Sequence, residues 1–130
     1  MELLRRFTEA FNRGNLAGAI ALVDPPPEFE FVGSGVIPDL AGVQRGPEGL
    51  RRAVETFWGE FDDAHAELHE LIDAGDEVFV SATFRGRGKR SGAETSWDVW
   101  AVFTVRDGRM VRWQAFSERD PALEAAGLSE

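Results

Sequence analysis

The chain opens with apolar positions at helical spacing. Leu3, Leu4, Phe7, Ala10 and Phe11 recur three and four residues apart and form one stripe, which predicts an amphipathic first helix. Gly14 suits the stop of that helix. Asn15 is placed to cap a second short helix, "LAGAIALV" (16–23). "DPPP" (24–27) ends it, because proline removes backbone donors and fixes the backbone. The period then changes. "EFEFV" (28–32) alternates and predicts a strand with Phe29 and Phe31 on one face. Residues 33–46 read as a glycine-rich loop. Pro47 opens a third helix, "PEGLRRAVETFWGEF", with a buried stripe of Leu50, Val54, Phe57, Trp58 and Phe61. "AHAELHELID" (64–73) fits a helix or a strand. "EVFVSATFR" (77–85), "TSWDVWAVFTV" (95–105) and "RMVRWQAFS" (109–117) read as three strands, and Asp120-Pro121 opens a short C-terminal helix.

This order predicts an α+β fold with helices packed on one face of a curved antiparallel sheet. A turn at Arg90-Ser91 sets Val78, Val80, Ala82 and Phe84 opposite Phe103, Ala101, Val99 and Trp97. That face is apolar throughout and should lie against the helices. The other face carries Phe79, Ser81, Thr83 and Arg85 beside Ser96, Asp98, Trp100 and Val102, with an Arg85–Asp98 ion pair expected across the strands. The Asp107-Gly108 turn leaves two registers open. A two-residue turn puts Trp113 on the Trp100 face. A three-residue loop with Gly108 in a bulge sets Trp113 opposite Ala101 and Ala115 opposite Val99. The second is preferred, because Val111, Trp113 and Ala115 then extend the apolar face. An exposed patch of Trp100, Val102 and Phe116 predicts a symmetric homodimer through the mixed face. The alternative is a monomer in which the Arg85 and Arg112 stems cover these rings.

Composition narrows the function classes. The 130 residues are 43% hydrophobic and 28% charged, ordinary for one soluble domain spanning 1–130. A net charge of −9 argues against nucleic acid and anionic membrane as main partners. With no cysteine there is no thiolate nucleophile or Cys metal site. The N-terminal stretch has no continuous apolar run of a signal peptide, and no run approaches the roughly 18 residues of a membrane span, so a cytoplasmic protein is expected.

Candidate chemistry is sparse. Glu70 would face the apolar interior if the 64–73 strand pairs without a bulge, and would then have a raised pKa and could act as a base. A bulge would turn it out to solvent. His65 and His69 share a face but lack a third ligand, so surface histidines are expected and no metal. Ser117 falls in the inward register of residues 113 and 115, at a pocket rim, or else is a strand-end serine bonded to nearby backbone. The 33–46 loop lacks the Gly-Lys-Ser/Thr ending of a phosphate cradle, so no cofactor is expected; it reads as a lid or as a plain connection.

Taken together, "EAFNRGNLAGAIALVD", "RGPEGLRRAVETFW", "IDAGDEVFV" and "VFTVRDGRMVRWQAF" give the chain a resemblance to the SnoaL-like branch of the nuclear transport factor 2-like superfamily. The resemblance implies a cone-shaped, cystatin-like α+β fold. Three helices from the N-terminal half pack on the concave face of the sheet, a pocket lies between helices and sheet, and the protein is commonly a dimer. Relatives include ketosteroid isomerases, epoxide hydrolases, dehydratases and polyketide cyclases, so the fold does not fix the reaction. Ketosteroid isomerases use a tyrosine on the first helix, an aspartate base on the first strand and a neutral aspartate on the penultimate strand. These positions match Phe7, the neighbourhood of Phe31, and Ala101. The aspartate that epoxide hydrolases carry on the last strand matches Ala115. Neither acid–base set is present in the sequence.

The expected function is therefore binding of an apolar small molecule. The expected lining is Phe7, Phe11, Phe31, Trp58, Val80, Phe84, Trp97, Ala101, Phe103, Trp113 and Ala115, with Ser117 at the rim. Alternatives are an isomerase, cyclase or hydrolase acting on a polyketide-, steroid- or terpene-like substrate, and a dimerisation module with no ligand.

Overall fold

The fold is seen in a computed structural model that describes residues 2–34 and 42–128, the side chains of Phe57 and Trp58 excepted. Helix α1 (Glu2–Asn12) buries Leu4, Phe7, Ala10 and Phe11, the stripe its spacing predicts. Gly14 ends it at a φ of 76°, a backbone region that costs glycine little. The Asn15 side chain then accepts a bond from the Gly18 N–H at 3.0 Å and starts α2 (Leu16–Val23). Helix α3 (Gly46–Glu60) has proline in its first turn and buries Leu50, Ala53 and Val54.

Six strands form one sheet: β1 (Glu30–Gly33), β2 (Gly42–Arg45), β3 (Phe61–Ala74), β4 (Glu77–Gly88), β5 (Glu94–Arg106) and β6 (Arg109–Phe116). Their order across the sheet is β2-β1-β6-β5-β4-β3. Strand β2 falls in the segment expected to be loop; it pairs antiparallel with β1 and sets Val43 beside Val32. The sheet is not wholly antiparallel, because β1 runs parallel to β6 and aligns Phe31 with Trp113. The expected lid falls largely on residues 35–41, outside the described residues.

The β4–β5 register agrees with the expected one: Val78, Val80, Ala82 and Phe84 face Phe103, Ala101, Val99 and Trp97. The β5–β6 hairpin reaches the expected faces by another route. Asp107 and Gly108 have φ of 53° and 75°, and Arg106 pairs with Arg109, so the turn has two residues. A register shift past Val105 then reverses the parity, setting Phe103 opposite Trp113 and Ala101 opposite Ala115. Trp113 thus stays on the apolar face, two residues away from the expected pairing.

Of the two readings of Glu70, the bulged one holds and the inward-facing base does not. Leu68 faces Ala82, but a bulge follows, and Glu70 faces Ser81 rather than Val80. One extra residue moves its carboxylate from the apolar face to the opposite one. Burying that charge among aliphatic and aromatic groups would have been costly. The Arg85–Asp98 pair is also absent from the described contacts. Arg85 bonds Glu67 at 3.0 Å, and Asp98 accepts from the Thr83 hydroxyl at 3.0 Å.

Two cores result. The larger joins α1, α2 and α3 to the concave face of the sheet. The smaller lies on the convex face, where α4 (Arg119–Ala125) lays Ala122 and Ala126 on Phe79 and Val102, with Ile72, Trp100 and Phe116 around them. Helices therefore cover both faces. Val102, expected in an intermolecular contact, is only 3% exposed under the chain's own helix. No helix among the described residues is long and apolar enough to cross a membrane.

Candidate functional site: an apolar cavity between helix and sheet

A cavity of about 130 Å³ opens between α1 and the concave face. Helix α1 contributes Leu4, Phe7, Thr8 and Phe11, one face at three- and four-residue spacing. Strand β1 contributes Phe31 and Gly33, and β3 contributes Ala66 and Leu68. Alternate residues of β4 and β5 supply Val80, Ala82, Phe84, Trp97, Val99, Ala101 and Phe103. Trp113 and Ala115 of β6 complete the floor, and Ser34, Trp100 and Phe116 also border the space.

Aromatic contacts fix these walls. Trp113 meets Phe31 edge to face at 4.9 Å, meets Phe7 likewise at 5.9 Å, and stacks on Phe103 at 5.2 Å. Trp97 leans on Phe84 at 4.8 Å and on Phe61 at 5.5 Å. Phe61 can lie there because Gly86 has no side chain; a Cβ at that glycine would come within 2.7 Å of the Phe61 Cβ. Small residues leave the space: Ala82, Ala101 and Ala115 stand where larger side chains would fill it.

Ten of the eleven residues expected to line a pocket border this cavity. The eleventh, Trp58, has its side chain outside the described residues. Ser117 is exposed past the end of β6 and does not border the cavity. Leu4 and Thr8 line it as well, and their spacing from Phe7 and Phe11 is the signal for them. Ala66 and Leu68 also line it, from a segment whose pattern fits helix or strand and so shows no inward face.

No titratable side chain lines the cavity among the described residues. The Thr8 hydroxyl donates to the Leu4 carbonyl at 2.9 Å, which commits its hydrogen. Phe7, Ala101 and Ala115, where the family resemblance implies a hydroxyl or acids in catalytic relatives, border this one space, as does Phe31, near the third such position. Glu70 does not. On the convex face its two carboxylate oxygens accept from the Arg119 guanidinium at 2.5 and 3.2 Å. The bond to Arg119 holds its carboxyl below the ordinary value of 4.5, outweighing the opposing effect of burial. A base poised near neutrality would need the opposite shift. His69 lies on the same face, its Nε2 at 2.7 Å from the Thr83 hydroxyl. No group of three or more potential metal ligands occurs among the described residues.

Comparison with known proteins places the fold in a lineage. The SnoaL-like domain family matches residues 4–113. A nuclear transport factor 2-like protein of unknown function from Burkholderia pseudomallei is 22% identical, superposes with a TM-score of 0.77, and is covered over 95% of its length by 98% of this chain. A protein with a ketosteroid isomerase-like fold from Catenulispora acidiphila, solved in complex with trimethylamine, is 16% identical, with a TM-score of 0.76 over 98% of this chain and 93% of its own. A putative SnoaL-like polyketide cyclase from Jannaschia is 16% identical, with a TM-score of 0.76 over 88% of this chain and 82% of its own. At these identities the likeness is one of fold. No functionally curated protein matches the sequence at a significant level. The chain belongs to the SnoaL-like domain family.

Proposed function

We propose that this SnoaL-like protein binds a small apolar molecule in the cavity between α1 and the sheet. It does so without the acid–base sets of ketosteroid isomerases and epoxide hydrolases. One observation carries the reading: Phe7, Phe31, Ala101 and Ala115 converge on a single cavity, and none can donate or accept a proton from its side chain. Such a space binds by removing apolar area from water, with few polar anchors. The Jannaschia neighbour, a putative polyketide cyclase, is consistent with a hydrophobic ligand on this fold. A ligand bound only by the folded chain raises its melting temperature. Melting curves in buffer saturated with toluene, naphthalene or pyrene are the test. A rise with at least one of them is expected, and no rise with any overturns the reading.

We also propose that a second copy of the chain packs on the convex face. Trp100 and Phe116 remain half-buried there with α4 in place, and Val43 on β2 is 46% exposed.

A further inference from the structure

We infer that the cavity selects an uncharged ligand the size of one ring, a monocyclic aromatic or alicyclic skeleton; this deepens the binding role proposed above and rests on it. Size is the first argument. The cavity measures about 130 Å³, and an engineered apolar cavity of about 150 Å³ in another protein holds a benzene molecule. A four-ring skeleton far exceeds the one-ring ligand that a space of this size holds.

The walls resist enlargement. Trp113 is held by Phe7, Phe31 and Phe103 at once, and Trp97 by Phe61 and Phe84. Making room for a fused second ring would break several of these ring contacts, and close-packed interiors yield to such changes only at a cost. Ala101 and Ala115 pair side by side on the cavity wall, and their short side chains leave room that a ring can occupy.

Charge is the second argument. With no titratable group in the described lining, an ammonium or carboxylate would lose its water and gain no counter-ion from those residues.

Calorimetric titration of the full chain separates the possibilities. The probes are toluene, naphthalene and pyrene for size, and benzylammonium and benzoate for charge. Saturable binding of toluene is expected, with naphthalene, benzylammonium and benzoate each at least about tenfold weaker, a difference well above the precision of such measurements, and pyrene not bound. Ala101→Leu, which fills the floor, is expected to abolish the toluene signal, while the wild-type series decides the question even if that variant fails to fold. Naphthalene or pyrene binding as tightly as toluene overturns the size limit and leaves the binding role standing. Either charged probe matching toluene overturns the neutral-ligand inference. Binding of none overturns both this inference and the role it rests on.

Discussion

Ala101 on β5 lies directly opposite Ala115 on β6, and both border the cavity. The family resemblance implies acids at these two positions in relatives that move protons, whereas here they leave a floor of two methyl groups. An acid placed at Ala101, only 7% exposed, would sit among phenyl and indole rings. Its pKa would rise, because burial disfavours the charged form. The unfolded chain would then release the proton more readily than the folded one, so stability falls as pH rises above the ordinary carboxylate range. Ala101→Asp is therefore expected to melt at a higher temperature at pH 4 than at pH 7, more so than wild type. Melting curves at the two pH values check this. Equal pH dependence would mean that the site is wetter than its lining implies.

Glu70 predicts the opposite sign. Its carboxyl is held low by Arg119, so the stabilisation from this pair is present above the ordinary value and is lost as pH falls through the folded-state pKa. Glu70→Gln should flatten that part of the acid unfolding curve. The group is exposed, so the effect is small. Toluene binding by the variant should stay within error of wild type, since Glu70 lies on the other face.

Asn12 closes the edge strand. Its amide donates to the Ala66 carbonyl at 2.9 Å, and its carbonyl accepts from the Ala66 N–H at 2.7 Å. A helix side chain thus takes the place of a further strand beside β3, which is the sheet's last strand. Asn12→Ala should cost about 1 to 3 kcal/mol in urea unfolding and speed hydrogen exchange at Ala66. Unchanged exchange there would contradict this role.

Ala122 is fully buried against the convex core with Phe79 and Val102. Ala122→Asp should cost at least about 2 kcal/mol, read by urea unfolding. It should also raise the exposure of Val102 to solvent, visible as faster exchange in β5. No loss of stability would show that α4 is not docked in solution.

Trp100→Glu tests the second-copy proposal. Sedimentation is expected to show a dimer for wild type and a monomer for the variant. A monomeric wild type would contradict the proposal and leave the half-buried Trp100 and Phe116 as surface aromatics beside α4.

Much of this arrangement was legible in the sequence where one face is apolar. The stripe Leu4, Phe7, Phe11 and the alternation along β4 and β5 gave elements and register, because burial enforces period. Bulges were legible only as alternatives. The extra residue before Glu70 and the shift past Val105 each change parity by one, and no residue type announces them. The first turned a candidate base outward; the second restored Trp113 to the cavity after a turn that alone would have expelled it. Strand β2 escaped notice because four residues after a glycine-rich stretch carry little pattern. The docking of α4 on Phe79 and Val102 is a long-range contact, and a seven-residue helix gives no hint of which face it will cover.

The most direct measurement is a crystal structure of the protein under xenon pressure, because xenon enters dry apolar cavities and scatters strongly. The account predicts a xenon atom between α1 and the sheet, over Ala101 and Ala115 and beside Phe31 and Trp113. A crystal in which those side chains close on one another, with no xenon among them, would contradict it.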